Sequence, residues 1–120
     1  MKVTRTHING STMERATPES TAMLLGSLAH ANRIRILERL SRESYCQCEL
    51  GPALGIEQSN LSRHLKVLTS AGVVSLSREG NRINLAITDR EVLALIHLAE
   101  ALALRRAEET VVEGANEKTS

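Results

Sequence analysis

The chain has 120 residues, 42% of them hydrophobic, which fits one compact domain with a core of its own. Tyr45 is the only aromatic residue, so the core must be aliphatic, and this composition favours helix. The formal net charge of +1 does not select a partner. The apolar runs near the C terminus are interrupted by His97 and Glu100, and no apolar leader is visible, so we expect no membrane span and a cytoplasmic location.

The first 17 residues are polar and aperiodic, which predicts a flexible N-terminal arm over residues 1–17. Pro18 suits the first position of a helix with Thr17 as its N-cap, and this first helix should end near His30. Asn32 can cap a second helix, whose apolar residues recur at helical spacing.

The stretch "SYCQCEL", residues 44–50, should open a third helix. Ser44 and Gln47 match a capping box, which predicts a helix start at Tyr45 or Cys46. Gly55 should end this helix in a tight turn. A fourth helix is predicted from about Gln58 to Ala71, with Gly72 as its stop.

Alternating apolar residues on both sides of Gly80 predict a β-hairpin. The residues expected to face inward are Val74, Leu76, Ile83, Leu85 and Ile87. Thr88 and Glu91 match a second capping box, which predicts a last helix to about Arg106.

This order of elements predicts a mainly α (α+β) winged helix-turn-helix with about five helices and a two-stranded wing. The folded domain should span residues 18–106, followed by an acidic flexible tail over residues 107–120. The sequence has no phosphate-binding loop and no nucleophile paired with a base, so we do not expect an enzyme.

In a winged helix the fourth helix can lie in a DNA major groove with its first turns at the base edges. No acidic residue occurs between Gln58 and Arg78, which favours DNA over an ordinary amphipathic surface helix. The alternative is an interaction module that keeps the fold without binding an operator. The predicted DNA-binding residues are Gln58, Ser59, Asn60, Ser62, Arg63, His64, Lys66, Arg78 and Arg82.

Three stretches resemble the ArsR/SmtB family of metal-responsive repressors: "LAHANRIRILERL", "IEQSNLSRHLKVLTSAGVV" and "REGNRINLAIT". The resemblance spans roughly residues 20 to 106. It implies a homodimer that binds double-stranded operator DNA without a cofactor and releases it when an inducer binds. It also implies dimerisation through the first and last helices, which carry apolar stripes. The expected interface residues are Met23, Leu24, Val92, Leu95, Ile96, Ala99 and Leu102.

Cys46-Gln47-Cys48-Glu49-Leu50 falls where arsenic- and cadmium/lead-sensing members of this family carry Cys-Val-Cys-Asp-Leu. Soft thiolates select thiophilic ions, so the resemblance implies that Cys46 and Cys48 bind the inducer, As(III) or Sb(III) first and Cd(II), Pb(II) or Zn(II) as alternatives. Positions i and i+2 of a helix point about 200° apart, so both sulfurs can reach one ion only if the first turn is distorted. Two buried packing residues and a redox pair remain alternatives.

The third ligand is open. Arsenic-type members often have another cysteine at the position of Gly51, and cadmium/lead-type members add cysteines from the partner subunit's arm. This arm offers only His7 and Met13, so His7, a water or an external thiol could complete the site.

Overall fold

The computed structural model describes the backbone of residues 3–8 and 11–119 and the side chains of residues 16–110. The chain divides into two compact units, Met1–Asp89 and Arg90–Ser120. Five helices and five strands are present in the described residues. None of these helices combines the length and the apolar character needed to cross a bilayer.

The N-terminal segment forms a hairpin of two antiparallel strands, β1 (Val3–Ile8) and β2 (Ser11–Ala16). The polar, aperiodic sequence of this segment predicted no regular structure. The overlooked signals are the β-branched residues of both strands and the Asn9-Gly10 pair in the sequence between them, since this dipeptide favours hairpins. The flexibility predicted for residues 1–17 stays a prediction.

Helix α1 (Pro18–Leu28) begins as predicted, because Thr17 Oγ1 accepts a hydrogen bond from the Ser20 amide at 3.1 Å. Helix α2 (Ala31–Leu40) begins earlier than predicted. Its N-cap is His30, whose Nδ1 accepts from the Asn32 amide at 3.0 Å. The assignment of Asn32 as the cap was therefore wrong.

The third helix differs from its prediction at the N-terminal end. Tyr45 and Cys46 form a short strand, β3 (Tyr45–Cys46), and helix α3 (Gln47–Leu54) follows with Cys46 as N-cap and no side-chain capping bond. The capping box of Ser44 and Gln47 was wrong, because pairing with a later strand keeps this backbone extended. The predicted turn at Gly55 is confirmed, with φ of +67°.

Helix α4 (Gln58–Ser70) is followed by strands β4 (Val74–Glu79) and β5 (Arg82–Ile87). β5 lies at the centre of a three-stranded antiparallel sheet in the order β3-β5-β4. Of the predicted inward residues, Val74 and Leu85 are buried, but Leu76 is 52% exposed, so its assignment to the core was wrong. We refer to the β4–β5 hairpin as the wing.

The core of the first unit is aliphatic, as the composition required. Its buried residues are Leu28, Ile36, Leu37, Leu40, Leu50, Ile56, Leu61, Leu65, Leu68, Val73, Val74 and Leu85.

The second unit is helix α5 (Glu91–Thr119). It does not begin at a Thr88 cap, because the Thr88 amide donates to the Val73 carbonyl at 2.9 Å and extends the hairpin. It also continues beyond the predicted end at Arg106, where no proline follows and the residues are mostly compatible with helix. The flexibility predicted for residues 107–120 stays a prediction.

Candidate ion-sensing site and nucleic-acid interface

Helix α4 presents one polar face to solvent. Leu61, Leu65 and Leu68 anchor its other face in the core. The predicted DNA-binding residues of this helix that are exposed are Gln58, Ser59, Asn60, Ser62, Arg63 and Lys66. The outward side chains are thus the short polar and forked donors that can meet base edges and phosphates.

The side chains at the start of α4 make weak local contacts. Ser59 Oγ donates to Glu57 Oε1 at 3.1 Å, and Arg63 Nη2 donates to Asn60 Oδ1 at 3.4 Å. Glu57 is the N-cap residue but makes no side-chain capping bond. All these groups are exposed, so a ligand can displace these contacts at low cost.

His64 is the exception among the residues predicted to bind DNA on this helix. It is half-buried, and its ring lies 4.4 Å from the ring of His30, centroid to centroid. Arg33 Nη1 lies 3.4 Å from His64 Nδ1, while Arg33 Nε donates to the Ser27 carbonyl at 2.6 Å. Burial, together with the nearby His30, Arg33 and Arg63, lowers the pKa of His64. This geometry indicates that His64 joins α4 to the α1–α2 junction.

The wing places both predicted arginines in solvent. Gly80 has φ of +60°, as a tight hairpin turn between Glu79 and Arg82 requires. Arg78 and Arg82 are exposed, and Arg82 Nη2 donates to Glu49 Oε1 on α3 at 2.7 Å. One wing arginine is therefore already paired with a carboxylate when no DNA is present.

The two thiols occupy different environments. Cys46 is 4% exposed at the end of β3, whereas Cys48 is exposed in the first turn of α3. Cys46 lies before the helix with extended backbone (φ −68°, ψ 137°), so the 200° divergence of an ideal helix does not apply. The two sulfurs and a Glu49 carboxylate oxygen all lie within 4.8 Å of one another.

The two sulfurs lie within 4.8 Å of each other, and the pKa values of the two thiols are shifted in opposite directions. The Cys48 side chain and amide, the Arg82 charge and the Ile83 amide lower the pKa of Cys46. The contact with Cys46 and burial raise the pKa of Cys48. The thiol of Cys46 therefore loses its proton more readily than the thiol of Cys48.

The thiols open into a cleft of about 330 Å³, which we call the thiol cleft. Its lining residues are Cys46, Gln47, Cys48, Gln58, Asn81 and Ile83. They come from four places in the fold: the end of β3, the start of α3, the first residue of α4 and the wing. The thiol cleft therefore borders both the start of α4 and the wing.

Glu49 is a donor that the sequence analysis did not consider as a third ligand. In the described part of the chain, a carboxylate oxygen of Glu49 lies within 4.8 Å of both sulfurs and is the third potential ligand atom of this group. Gly51, the position of the family's third cysteine, is buried, and a Cβ there would lie 3.0 Å from the Ile56 carbonyl oxygen. The side chains of His7 and Met13 lie outside the described residues.

The predicted dimer residues fall into two groups. Val92 and Ile96 are buried within the single chain, at 7% and 3% exposure, and Leu24 is half-buried. Met23, Leu95, Ala99 and Leu102 are exposed. Large apolar side chains with 39% to 62% exposure lie along both α1 and α5.

Comparison with known proteins agrees with this geometry. The model of a family described as bacterial regulatory proteins of the arsR family matches residues 30–75. The probable mercury resistance operon repressor of Streptomyces lividans is 32% identical over 90 residues, which cover 75% of this chain and 72% of that protein. These relatives are regulators and not enzymes, as the sequence predicted for this chain.

Two solved structures share the fold. One is the NMR structure of the homodimeric winged helix-turn-helix DNA-binding domain of Mb0332 from Mycobacterium bovis, a possible ArsR-family regulator. It has a TM-score of 0.64 and 28% identity, over 71% of this chain and 79% of that chain. The other is the AntR antimony-specific transcriptional repressor, with a TM-score of 0.63 and 29% identity, over 76% of this chain and 82% of that chain. The sequence matches, the winged fold and the polar face of α4 together show that this chain is a transcriptional regulator of the ArsR family.

Proposed function

We propose that the chain is a homodimeric repressor that binds operator DNA through α4 and the wing, and releases it when a thiophilic ion binds Cys46 and Cys48. The favoured ions are As(III) and Sb(III), with Cd(II), Pb(II) and Zn(II) as alternatives. The observation that carries the proposal is the approach of both sulfurs and the Glu49 carboxylate to within 4.8 Å, beside the first residue of the DNA-facing helix.

The DNA-binding part rests on charge and exposure. The outward face of α4 from Gln58 to Lys66 carries no carboxylate, and Arg63 and Lys66 supply two cations. In this proposal Gln58, Ser59, Asn60, Ser62 and Arg63 face base edges. Lys66, Arg78 and Arg82 hold phosphates, which gives affinity without sequence preference. His64 supports the helix from behind, through the ring and guanidinium contacts described above.

The homodimer rests on the exposed apolar side chains of α1 and α5. Met23 is 62% exposed, and Leu98, Leu102 and Leu104 are 61%, 43% and 62% exposed. A second copy of the chain would remove this surface from water, at roughly 25 cal/mol for each Å² of apolar area. A dimer would also pair two copies of α4, as recognition of two half-sites requires.

The chemistry of the donors fits a soft ion. Arsenous acid would exchange two hydroxyl groups for the two sulfurs, and two protons from the thiols would leave with them as two molecules of water. A divalent ion such as Cd(II) would displace the two thiol protons, with one oxygen of the Glu49 carboxylate in the third position and the other oxygen left to accept from Arg82. The mercury and antimony repressors in the comparison support this class of ligand.

Two connections would carry the effect of the ion to DNA. The Gly51 carbonyl of α3 accepts from the Ile56 amide at 2.9 Å, immediately before α4, so movement of α3 reaches the recognition helix. Gln58, the first residue of α4, lines the thiol cleft directly. Rearrangement of the first turn of α3 around an ion would therefore shift the side chains at the start of α4.

Fluorescence anisotropy tests the proposal, with a duplex that the protein itself selects from a random pool. Arsenite, antimonite and Cd(II) are titrated against the complex of DNA with wild-type protein and with the Cys46→Ser/Cys48→Ser variant. We expect release from the wild type and none from the variant. Equal release from both, or release from neither, would refute the sensing function. DNA affinity without a steep salt dependence would instead favour an interaction module.

A redox function is the second candidate, because the two sulfurs lie within 4.8 Å of each other, which allows their joint oxidation. Hydrogen peroxide would take the two hydrogens and leave a disulfide and two waters. Loss of DNA binding with peroxide, restored by a thiol reductant, together with indifference to all three ions, would favour this candidate over ion sensing.

A further inference from the structure

Arg82 belongs to two surfaces at once. It is the first residue of β5 at the tip of the wing, where the proposed function places a DNA phosphate. Its Nη2 also lies 2.7 Å from Oε1 of Glu49, a residue 33 positions earlier, in the first turn of α3. Glu49 directly follows Cys48, so this contact joins the wing to the thiol site.

We propose, on the basis of the proposed function, that Arg82 is shared between Glu49 and a DNA phosphate and relays the state of the thiol site to the wing. In the free protein the Glu49 carboxylate holds the guanidinium. In the DNA complex the phosphate takes it. An ion on the two sulfurs favours the first arrangement and so opposes the second.

The exposure of the pair makes this exchange possible. The side chains of Arg82 and Glu49 are 60% and 56% exposed. An exposed ion pair changes an equilibrium by only about one- to fivefold, because water and salt screen it. A phosphate in the strong field of DNA can displace a carboxylate that is held so weakly, whereas a buried pair would not open.

The location of the thiols explains why a bound ion should strengthen the ion pair between Arg82 and Glu49. An ion bound to both sulfurs fixes the first turn of α3, and with it the backbone of Glu49. Arg82 then has a partner that is already ordered, so less side-chain freedom is lost when the two pair. Because coupling is reciprocal, DNA that removes Arg82 from Glu49 weakens ion binding by the same factor.

The sheet keeps the two ends of this relay together. Cys46 of β3 pairs with Asn84 of β5, two residues from Arg82. Ile83, between Arg82 and Asn84 on β5, lines the thiol cleft together with Cys46. The wing strand β5, which carries Arg82, is thus paired directly with β3, the strand that carries one of the two sulfurs.

The first experiment needs no ion. DNA affinity is measured for the wild type, Glu49→Gln, Arg82→Gln and the double variant, over a range of salt concentrations. Glu49→Gln should raise affinity about threefold, because the phosphate no longer competes with a carboxylate. Arg82→Gln should lower affinity and reduce the slope of log affinity against log salt by about 1. In the Arg82→Gln background the effect of Glu49→Gln should vanish.

The Arg82→Gln background separates direct competition between Glu49 and the phosphate for Arg82 from a general electrostatic effect of the Glu49 charge. Removing any nearby negative charge raises DNA affinity, but only a direct competitor depends on Arg82. Glu43→Gln, at an exposed carboxylate before β3, is the matched control, and its effect should be the same with and without Arg82. If Glu49→Gln raises affinity equally in both backgrounds, the shared contact is refuted.

The second experiment adds Cd(II), whose thiolate absorbance also reports that the site is filled. Cd(II) should lower the DNA affinity of the wild type by a certain factor, and this factor should be about threefold smaller in Arg82→Gln. A change of about threefold is what one exposed ion pair contributes. Arg78→Gln, at the other wing arginine, should lower DNA affinity but leave this factor unchanged. Equal factors in the two variants would overturn the relay.

The two experiments distinguish this inference from the proposed function. If Cd(II) fills both thiolates and leaves wild-type DNA affinity unchanged, ion sensing is refuted, and the relay with it. If Cd(II) releases wild-type DNA while the ion-free cycle shows no dependence of the Glu49 effect on Arg82, ion sensing stands and the shared arginine is refuted.

Discussion

Gly51→Ala tests how tightly α3 is packed against the segment that leads into the recognition helix. Gly51 is buried within α3, and its carbonyl already accepts from the Ile56 amide. A Cβ at this position would lie 3.0 Å from the Ile56 carbonyl oxygen and 3.3 Å from Leu61 Cδ2. The first distance is the more severe, because the backbone oxygen cannot rotate away as a side chain can.

Two opposing terms set the magnitude. Alanine is favoured over glycine inside a helix by about 1 kcal/mol. Forcing an extra methyl group into a packed core costs about 1–3 kcal/mol. We therefore expect Gly51→Ala to lower the free energy of unfolding by about 1 kcal/mol. A cysteine at this position would place the same Cβ against the same oxygen, so this packing also disfavours a third thiol there.

Gly26→Ala is the matched control. Gly26 is also helical, in α1, but a Cβ there would meet no atom within 4 Å. Only the helix term then remains, and the substitution should stabilise the fold by about 0.5–1 kcal/mol. Urea unfolding at one fixed protein concentration measures both, since the proposed dimer would make stability depend on concentration.

The opposite signs of the two substitutions are the test. If Gly51→Ala stabilises the protein as much as Gly26→Ala, the close approach of α3 to Ile56 does not limit packing. Our explanation for the unsuitability of this position for a third cysteine would then be wrong.

Four further outcomes are expected. Iodoacetamide should alkylate exposed Cys48 before buried Cys46, and Cys46→Ser should move the pH midpoint of Cys48 alkylation downward, because the contact that raises the pKa of Cys48 is lost. The pKa of His64 is lowered in the fold, so its neutral form contributes stability above the unfolded pKa of about 6.5, and that stability is lost as pH falls below it. The urea midpoint should therefore fall less between pH 7 and pH 5 in His64→Gln than in the wild type. Lys66→Ala should weaken binding to all DNA sequences alike and reduce the salt slope by about 1, as measured by anisotropy. Leu102→Glu should convert the dimer to monomer in sedimentation velocity, and an unchanged sedimentation coefficient would contradict the interface.

Local patterns in the sequence were enough to predict much of the fold. The burial of Leu61, Leu65 and Leu68 follows from helical spacing, and Gly55 ends α3 as predicted because a left-handed residue strongly favours glycine. The winged arrangement followed from the order of these elements. The sequence also predicted the candidate thiols, because two cysteines one residue apart at the start of α3 are visible without a structure.

The local signals failed where a distant segment competed with them. Ser44 and Thr88 both matched capping boxes. The residues after Ser44, Tyr45 and Cys46, pair with β5 instead. The amide of Thr88 donates to the Val73 carbonyl. A capping bond contributes about 1 kcal/mol, and several ladder hydrogen bonds outweigh it. Leu76 alternates correctly, yet it lies beside an open pocket next to α4 and stays 52% exposed.

The sequence by itself determined the five helices, the wing and the candidate thiols, because period and turns act between near neighbours, whereas β1, β2 and β3 were not predicted. Only the tertiary structure decided which of those residues meet. Glu49 and Arg82 are 33 residues apart, and His64 lies 31 residues from Arg33. The pairing of β3 with β5 brings the thiols to the wing and gives Glu49 its place beside both. No spacing in the chain encodes such contacts, because they depend on how separate elements pack against a shared core.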